Sequence, residues 1–437
     1  MSWKKVKLGE LLTESRIPSE NPDPDRRITV RLKVLGVEKR GLENEIAGAT
    51  KQFIRKAGQF IYGKQNFHKG AFGIIPLELD GFETSADLPA FDVNDRCTPE
   101  WIFYFFKQGG YYLELSKLAR GVATQRIHPD QIYDLEIPLP DLTTQVKIIS
   151  QIKEIENKGN TLNNELSLQL TLLENLNQAI LQEAVQGKLV KQNVKDEPAN
   201  ELLKRIKAEK ERSSKKEKPL PPIKQEETPF EIPKSWTYCR LGEICSKIGS
   251  GSTPKGSNYA VSGLPFFRSQ NIHNEELVYD EIKYISEVVQ KQMSGTVVLA
   301  NDILLNITGG SMGRCALVPS NFKEGNVSQH VCIIRPLEVD RNYFHKIILS
   351  PYFQKFIFSS TTGAGREGLP KYNLEQFVIP LPPLSEQKRI VAEIEKQFEK
   401  TKQLKEHIIA NQQATEQLLE ALLHQAFEVE EKEEIEE

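Results

Sequence analysis

The sequence predicts an α+β protein in which two similar α+β domains are separated by two long helices that form an antiparallel coiled coil, in a pseudo-two-fold arrangement. Three observations support this class. The chain contains an internal repeat, each copy ends in a long heptad pattern, and the region before each heptad pattern mixes short β-like runs with glycine-rich turns. A repeat of this kind takes precedence over other signals when a fold is assigned.

The repeat is clearest in a proline-bounded sequence that occurs twice, at the junction between each domain and the long helix that follows it. IPLPDLTTQVKI (137–148) and IPLPPLSEQKRI (379–390) share seven of twelve positions at an offset of 242. The same offset relates AILQEAV (179–185) to ALLHQAF (421–427). A block of constant length therefore follows each junction.

The blocks before the junctions differ in length. Their starts, VKLGELL (6–12) and CRLGEIC (239–245), are related by an offset of 233 rather than 242. WIFYFFKQGGYYLELSKLA (101–119) and DRNYFHKIILSPYFQKFIFS (340–359) predict one helical stretch in each block. Short β-like runs accompany them, which are KQFIRKAGQFIYG, VVLANDILLNIT and HVCIIRPLE.

The constant blocks have the alternating four- and three-residue spacing of a coiled-coil seam. Each predicted helix begins near Thr143 or Ser385, which are placed to cap it, and a 44-residue helix would be about 65 Å long. Because one such helix cannot bury its apolar stripe alone, the two should pack together or against partner helices, and the chain connectivity favours an antiparallel pair. The length and the heptad regularity argue against helices that only cover their own domains. The predicted seam residues are Ile148, Ile152, Ile155, Leu162, Leu166, Leu173, Leu176, Ile180, Ile390, Ile394, Leu404, Ile408, Leu418 and Leu422.

These patterns together predict six consecutive segments. In order they are a first domain (1–140), a first long helix (141–187), a linker with a short helix and a Lys/Pro-rich stretch (188–235), a second domain (236–383), a second long helix (384–427) and an acidic tail (428–437).

The charge of the chain is unevenly distributed. The formal net charge is −3, but the acidic tail holds seven Glu and one Lys, so the rest of the chain carries +3. Residues 188–218 hold eleven Lys/Arg against six Asp/Glu. Global charge therefore neither supports nor excludes DNA binding.

The cysteine pattern and the hydropathy bear on the compartment. The five cysteines form no CxxC pair and are odd in number, which predicts a reduced cytoplasmic protein with buried thiols. No run of about 18 apolar residues is present, and the first residues lack the apolar core of a secretory signal. We therefore expect neither a membrane span nor export.

No catalytic motif is evident. GxxxxGK[ST], HExxH and GxSxG do not occur, nor does the Asp/Asn-Pro-Pro-aromatic loop of an adenine methyltransferase, and the seven histidines lack metal-ligand spacing. GGSMG (309–313) is more typical of a tight turn than of a cofactor loop. We predict a non-catalytic protein with no metal site and no cofactor of its own.

Two similar domains at a fixed distance suit a ligand with repeating features. DNA is the obvious choice, because its groove repeats about every 34–36 Å. Since the two domains differ in sequence, they would read an asymmetric site in two parts.

Several segments also carry a family resemblance. They are the doubled IPLPxLxxQ junctions with their helices, the two LGE sequences, GSTP (251–254), FFRSQNI (266–272), and a linker running from DEPANELLKRIKAEKE through KPLPPI to FEIPKSW. In their order and spacing, over essentially the whole chain, they resemble the specificity (S) subunit of type I restriction–modification systems. The resemblance implies two target-recognition domains, each reading one half of a bipartite double-stranded DNA site.

The same resemblance implies the partners. The long helices would dock two modification subunits, which bring S-adenosylmethionine and methylate adenine, and a motor–nuclease (restriction) subunit could join them. The complex would be cytoplasmic and associated with the nucleoid. The acidic tail departs from the family pattern, and we expect a frayed end there rather than a mimic of DNA.

Candidate DNA contacts follow from side-chain chemistry. Arg and Lys read guanine, Asn and Gln read adenine, and basic or hydroxyl groups bind phosphate. The loops ARGVATQRIHP (119–129) and TTGAGREGLPKYN (361–373) are favoured, because both are basic, glycine-rich and directly precede a junction. The predicted DNA-binding residues are Arg55, Lys64, Gln65, Asn66, Lys69, Thr124, Gln125, Arg126, Arg268, Gln270, Asn271, Arg314, Gln329, His330, Arg366 and Lys371.

Two other functions remain open at this point. A coiled-coil adaptor that holds two proteins would show no salt-sensitive DNA binding. A self-contained methyltransferase of unfamiliar type would bind S-adenosylmethionine by itself.

Overall fold

The structure, a computed structural model, divides into two compact units. Unit 1 comprises Met1–Leu168 and Ile408–Glu437, and unit 2 comprises Gln169–His407. The residues that the structure describes are 3–41, 50–121, 125–213, 219–361 and 368–427.

Unit 1 contains short strands, short helices and part of each long helix. Its strands are β1 (Lys5–Lys7), β2 (Leu12–Ser15), β3 (Ile28–Val30), β4 (Val37–Lys39), β5 (Gln52–Ile54), β6 (Phe60–Tyr62), β7 (Phe72–Ile74), β8 (Glu83–Ser85), β9 (Ala90–Val93) and β10 (Glu136–Pro138). Its helices are α1 (Pro99–Lys107), α2 (Tyr111–Glu114), α3 (Pro129–Tyr133) and the first long helix, α4 (Leu142–Val185), which continues into unit 2.

An antiparallel sheet of order β2-β9-β6-β7 forms the centre of unit 1. Aromatic side chains fill the space between this sheet and α1. Phe60 stacks on Phe106 with ring centroids 5.7 Å apart, and Trp101 is fully buried. Such rings bury a large apolar area, which makes them the main source of stability in this core.

Unit 2 follows the same plan with additional elements. Its strands are β11 (Thr237–Arg240), β12 (Cys245–Ser250), β13 (Leu264–Phe267), β14 (Lys283–Ile285), β15 (Val297–Leu299), β16 (Ile303–Asn306), β17 (Cys315–Leu317), β18 (Glu324–Val327), β19 (Val331–Pro336) and β20 (Val378–Leu381). Its helices are α5 (Ala199–Ser213), α6 (Glu287–Gln292), α7 (Arg341–Ile348), α8 (Pro351–Ser359), α9 (Lys371–Gln376) and the second long helix, α10 (Leu384–Phe427), which continues into unit 1.

The described residues of unit 2 form two four-stranded sheets beside the pair β11–β20. The sheet of order β12-β19-β16-β17 is antiparallel and corresponds to the central sheet of unit 1. The second sheet, of order β14-β13-β18-β15, contains one parallel pair, β13 with β18. The predicted class of two similar α+β domains with two long helices is confirmed.

The repeated sequences at the start and end of each domain pair with each other. In unit 1 β1 is antiparallel to β10, with Val6 opposite Ile137. In unit 2 β11 is antiparallel to β20, with Cys239 opposite Ile379. These are equivalent positions of the repeat, so the same strand pair closes both domains.

The two predicted domain helices are interrupted. In unit 1 the stretch after α1 turns at Gly110, whose φ of 70° is left-handed, before α2 begins. In unit 2 α7 ends at Ile348 and α8 begins at Pro351, with Ser350 accepting a hydrogen bond from the Phe353 N–H. A glycine in the left-handed region and a proline at the first helical position are common helix boundaries.

The long helices pack antiparallel within each unit. In unit 1 a Cβ on Gly159 would lie 2.7 Å from Leu419 Cδ1, and Gln412 Nε2 donates to Ser167 Oγ at 3.2 Å. In unit 2 the Thr401 hydroxyl donates to Asn177 Oδ1 at 2.8 Å. Gly159 is the repeat equivalent of Thr401, and Leu419 is that of Asn177, so the same pair of positions meets twice. The predicted antiparallel pairing is confirmed.

The predicted seam consists of two alternating sets of positions, each of which recurs every seven residues. One set is correct, and the other is displaced by one residue. Ile152, Leu166, Ile180, Ile394 and Ile408 are buried, and Leu173 and Leu422 are half-buried. The alternate position lies one residue later than predicted, at Ile149, Leu170, Val391, Phe398 and Leu419, all buried or half-buried.

The displacement leaves several predicted seam residues outside the packing. Ile148 and Ile155 are half-buried, and Ile390 is buried in the core of its own domain. Leu162, Leu176, Leu404 and Leu418 are exposed, so their assignment to the seam is wrong. Leucines occur on both sides of the seam, and a sequence pattern does not show which of two adjacent positions the partner helix covers.

The start of α4 also differs from the prediction. The carboxylate of Asp141 accepts from the Thr144 N–H at 3.0 Å and from its hydroxyl at 2.9 Å. Asp141 therefore caps the helix, and Thr143 lies inside its first turn. In α10 the carbonyl of Pro383 accepts from the N–H groups of Glu386 and Gln387, and Ser385 likewise lies inside the helix.

The segment between the halves belongs to unit 2 and packs against the second domain. Ala199, Leu202 and Ile206 of α5 are buried in the core that contains Trp236. Farther along, the guanidinium of Arg240 donates to the carbonyls of Pro221 (2.6 Å) and Pro222 (3.1 Å) and to the Glu227 carboxylate (3.1 and 3.0 Å). This set of bonds holds the proline-rich stretch on the domain surface.

The cysteines lie inside the domains. All five are free thiols and buried, as predicted. Burial raises the pKa of the Cys97 thiol and of the Cys332 thiol to about 12 each, because a thiolate is poorly solvated in an apolar interior. In the described ranges, no helix combines the length and the apolar character that a membrane span requires.

Candidate nucleic-acid interface

The two predicted clusters of the first domain meet at one place. The turn that holds Lys64, Gln65 and Asn66 follows β6, and the carbonyl of Lys64 accepts from the Ile127 N–H at 2.8 Å. The N–H of Lys64 donates to the Asp87 carbonyl at 3.0 Å. Backbone bonds therefore fix this turn beside the loop that precedes the first junction.

The described flanks of that loop pair with each other. Arg120 and Arg126 exchange two backbone hydrogen bonds of 2.8 Å each. Gln125 is exposed, and the half-exposed Arg126 lies 3.4 Å from an Asp87 carboxylate oxygen. Thr124 lies outside the described residues. The pair with Asp87 orients the Arg126 guanidinium without burying it, so the cation remains accessible to an anionic ligand.

The side chains near this turn differ in exposure. Lys64, Gln65 and Asn66 are half-buried, whereas Lys69 is exposed. The carbonyl of Lys69 accepts from the Lys33 N–H at 2.8 Å, which holds a second basic segment next to the first. Lys33 was not predicted, because its position depends on this contact between distant parts of the chain.

Arg55 is not part of a surface. It is 1% exposed, and its guanidinium donates to the Ser15 carbonyl, the Leu88 carbonyl and the Thr84 hydroxyl at 2.6, 3.0 and 2.6 Å. Burial lowers its pKa to about 10. The prediction that Arg55 binds DNA is wrong, because its hydrogen-bond donors already hold three chain segments together.

In the second domain four polar side chains form one hydrogen-bonded group, which we call the Gln329 cluster: Thr253, Thr308, Gln329 and His330. The Thr253 hydroxyl donates to Gln329 Oε1. Gln329 Nε2 lies 3.2 Å from His330 Nε2, and His330 Nδ1 lies 2.7 Å from Thr308 Oγ1. Gln329 and His330 were predicted DNA contacts; the structure brings them together with two threonines from other loops.

The backbone explains how three distant loops reach this cluster. A Cβ on Gly251 would lie 1.9 Å from the Val327 carbonyl oxygen, so only glycine allows the GSTP loop to pass there. Thr308 forms an isolated bridge with Gly368, and the Leu369 N–H donates to the Ile307 carbonyl at 2.9 Å. The end of the loop that precedes the second junction is thereby joined to the edge that carries Thr308.

A second group lies around the turn after β13. Arg268 donates to the Glu281 carbonyl at 2.8 Å, and the exposed Gln270 lies 3.3 Å from the Glu281 carboxylate. Asn271 is fully buried, and its amide bonds the Arg268 N–H and the carbonyls of Val278 and Asp280. The prediction that Asn271 binds DNA is wrong, since its polar atoms maintain the turn that displays its neighbours.

The remaining predicted residues of this domain are on the surface or outside the described ranges. Arg314 is exposed, and its carbonyl accepts from the Asn306 N–H at 2.9 Å. Lys371 is exposed and pairs with Glu375 at 3.2 Å along α9. Arg366 lies outside the described residues. DNA contact by these side chains remains a prediction.

The polar surface groups described above lie on loops that backbone hydrogen bonds hold in place. No set of three His, Cys, Asp or Glu side chains arranged to hold a metal ion occurs in the part of the chain that the structure describes. His345 is buried against the Cys315 carbonyl, 2.9 Å from its Nε2, and burial lowers its pKa. We find polar, half-exposed loops held by backbone bonds on a closed domain.

A duplicated α+β domain with the same closing strand pair in both copies, different polar loops and long paired helices defines a class of recognition proteins. The family model for the type I restriction modification DNA specificity domain matches residues 1–172 and again residues 233–412. The chain belongs to this family and contains two copies of its domain, and the resemblance read from the sequence is confirmed.

Curated relatives carry the same description. The specificity subunits of the type I restriction enzymes EcoAI and EcoEI of Escherichia coli are 33% and 32% identical over 267 and 273 residues, in each case 58% of this chain. These matches span 44% and 45% of the relatives, less than half of their length. The MjaIX specificity subunit of Methanocaldococcus jannaschii is 22% identical over 373 residues, covering 83% of this chain and 77% of the relative.

Solved structures share the fold over nearly the whole chain. One comes from "Structural basis underlying complex assembly and conformational transition of the type I R-M system", with a TM-score of 0.67 and 20% identity, covering 98% of this chain and 97% of that one. Another is the HsdS subunit from Thermoanaerobacter tengcongensis, with a TM-score of 0.55 and 19% identity, covering 98% and 96%.

Proposed function

We propose that this chain is the DNA specificity subunit of a type I restriction–modification complex and that each domain reads one half of an asymmetric bipartite DNA site. The observation that carries the proposal is that the two domains share a strand pair and differ in their polar loops. The strand pair that closes each domain has the same register in both, Val6 opposite Ile137 and Cys239 opposite Ile379. The polar loops of the two domains carry different side chains, which suits two domains that recognise different DNA sequences.

The long helices have a second role in this proposal. Over 44 residues each rises about 65 Å, which is enough to set the gap between two half-sites. Leucines on their outer faces remain exposed, among them Leu162 and Leu418 in unit 1 and Leu176 and Leu404 in unit 2. Exposed leucines at repeat-equivalent positions suit the docking of two identical partners.

We assign these partners as two modification subunits, which bind S-adenosylmethionine and methylate adenine. A motor–nuclease subunit can join the same complex. This chain then recognises the site and contributes no group to methyl transfer, in agreement with a sequence that lacks the Asp/Asn-Pro-Pro-aromatic loop. The complex would work on the nucleoid in the cytoplasm.

The decisive experiment is methylation mapping. The chain is expressed with its modification subunit in a host that has no adenine methylation of its own, and methylated adenines are mapped over the genome. We expect one motif in two parts separated by a gap of constant length. A continuous motif, or no methylation above that of the modification subunit alone, would contradict the proposal.

Salt dependence separates DNA recognition from a protein adaptor. Binding of the purified complex to a duplex with the mapped site should weaken steeply as salt rises from about 50 to 200 mM, because cations on the protein displace counterions from the phosphates. Arg126→Ala should weaken binding, whereas Arg96→Ala, which removes an exposed cation paired with Glu10, should not. An adaptor would show neither effect.

A further inference from the structure

We propose that the Gln329 cluster reads one adenine in the half-site of the second domain, with Gln329 as the base-contacting residue. Thr253, His330 and Thr308 are then positioning residues. The inference rests on the proposed function and adds to it a residue, a base and a means of fixing the side chain.

The amide of Gln329 is held at both of its polar atoms. Oε1 accepts from the Thr253 hydroxyl, and Nε2 donates to His330 Nε2 at 3.2 Å. The ring of His330 is fixed in turn, because its Nδ1 lies 2.7 Å from the Thr308 hydroxyl oxygen. With Nε2 acting as an acceptor, Nδ1 carries the hydrogen and donates it to Thr308.

Backbone bonds hold the loops that supply these side chains. The Gly251 N–H donates to the Val331 carbonyl at 3.0 Å, and the Ser252 N–H donates to the Val327 carbonyl at 3.2 Å. The Ile307 N–H donates to the His330 carbonyl at 3.0 Å. The cluster is thus assembled by the fold before any ligand arrives.

Each polar atom of the Gln329 amide keeps one free bonding position. Oε1 has a second lone pair, and Nε2 has a second hydrogen. Gln329 is exposed, so its side chain can be reached by a ligand. A surface glutamine side chain without such bonds would lose rotamer entropy when it binds a base. The side chain of Gln329 has already been ordered by folding, which favours a tight and selective contact.

Adenine is the base whose edge matches a side-chain amide. In the major groove it presents the N7 acceptor beside the N6 amino donor, so one amide can bond both. Guanine presents two acceptors at the same edge, and cytosine presents only a donor. The cluster contains no lysine or arginine, which suits a base edge better than a phosphate.

The test uses the complete complex of this chain with its modification subunits. Each adenine of the second half-site is replaced in turn by 7-deazaadenine, which lacks the N7 acceptor, and duplex affinity is measured. With the unaltered chain we expect a loss of about 10- to 100-fold at one adenine other than the methylated one. Gln329→Ala should lose affinity for the ordinary duplex and show no further loss at that adenine.

Matched variants isolate the amide. Gln292→Ala removes an exposed glutamine of α6 outside the cluster, and it should behave as the unaltered chain does. Gln329→Glu keeps the size but cannot donate to N7, so it should also become insensitive to 7-deazaadenine. Thr253→Val and His330→Phe should reduce the discrimination between adenine and 7-deazaadenine several-fold. Both variants should leave the affinity for non-specific DNA unchanged.

Methylation mapping gives an independent result. In the motif mapped with Gln329→Ala, one fixed adenine of one half-site should be replaced by a position that accepts any base. The other half-site should be unchanged. An unchanged two-part motif, or a uniform loss at all sequences with a weaker salt dependence, would overturn this inference alone, since the latter indicates a phosphate contact. If the unaltered complex shows no two-part motif, the proposed function fails, and the inference fails with it.

Discussion

Gln145 and Gln387, equivalent residues of the two repeated junctions, make the same hydrogen bonds in the two domains. Each Nε2 donates to the carbonyl five residues earlier, that of Pro140 at 2.9 Å and that of Pro382 at 3.0 Å. Each Oε1 accepts from the N–H of the residue that caps the first domain helix, Thr98 at 2.9 Å and Asp340 at 2.8 Å. Both glutamines are fully buried.

These hydrogen bonds explain why the same junction sequence is present in both domains. The amide fixes the end of the closing strand, the start of the long helix and the cap of the domain helix in one arrangement. Since buried polar groups need partners, substitution of the glutamine leaves several backbone groups unsatisfied.

We expect Gln387→Leu to lower the free energy of unfolding of the second domain by about 2–4 kcal/mol, because the Asp340 N–H and the Pro382 carbonyl lose their partner. Urea unfolding followed by tryptophan fluorescence measures the change. Gln292→Leu, on the surface of α6, serves as the control and should change it by less than about 0.5 kcal/mol. Equal stabilities of the two variants would contradict the role given to the junction glutamine.

Arg55→Met should destabilise the first domain by about 2–4 kcal/mol, because the buried carbonyls of Ser15 and Leu88 lose their donor. Arg96→Ala provides an exposed control that should have little effect. Thermal and urea unfolding give the two stabilities. A stable Arg55→Met variant with weakened DNA binding would restore the original assignment of this residue to the DNA surface.

Arg240→Lys should release the proline-rich segment from the second domain. A lysine cannot reproduce the planar set of donors that bonds Pro221, Pro222 and Glu227 at once. We expect faster tryptic cleavage at Lys224 and faster hydrogen exchange nearby, with about 1–3 kcal/mol lost in stability. Arg205→Lys, at an exposed ion pair with Glu197, is the control; similar cleavage rates for both variants would show that Arg240 does not hold the segment.

Leu162 and Leu166 lie one turn apart on α4 and differ in burial, with exposures of 47% and 5%. Leu166→Lys should cost about 2–5 kcal/mol in stability, because it places a charge in the seam with α10. Leu162→Lys should leave stability nearly unchanged and weaken co-purification with the modification subunit. Destabilisation by Leu162→Lys instead would favour the seam register first read from the sequence.

The buried thiols should be unreactive in the folded chain. Burial raises the pKa of every cysteine, that of Cys97 and that of Cys332 to about 12. At pH 8 we expect alkylation only when the domains unfold in urea, because the thiolate is the reactive species. As raised pKa values favour the protonated form in the fold, stability should fall as the pH rises above about 8.5–9, the range of an unfolded thiol. Rapid labelling of any cysteine in the native chain would contradict this.

The sequence was sufficient for features that depend on local pattern. The junction and the length of the helices follow from residues that are near each other in the chain or occur twice, whereas the pairing of the closing strands was seen only in the structure. The paired positions Val6 with Ile137 and Cys239 with Ile379 belong to the echoes that revealed the repeat.

The candidate site was predicted less completely. Gln329 and His330 were found by residue type, but Thr253 and Thr308 were not, since nothing local connects a threonine to a side chain more than twenty residues away. Arg55 and Asn271 have the composition of DNA-binding residues, and only their burial shows that they hold loops together.

The sequence by itself determined that this protein has two α+β domains, two long antiparallel helices and a shared junction, because duplication and periodicity are properties of the chain order. Tertiary structure decided which leucines face the partner helix, which cations are buried, and which polar side chains meet at the Gln329 cluster. The physical reason is that burial and hydrogen bonding depend on the distances between atoms, and residues distant in the chain become neighbours only when packing and backbone bonds bring them together.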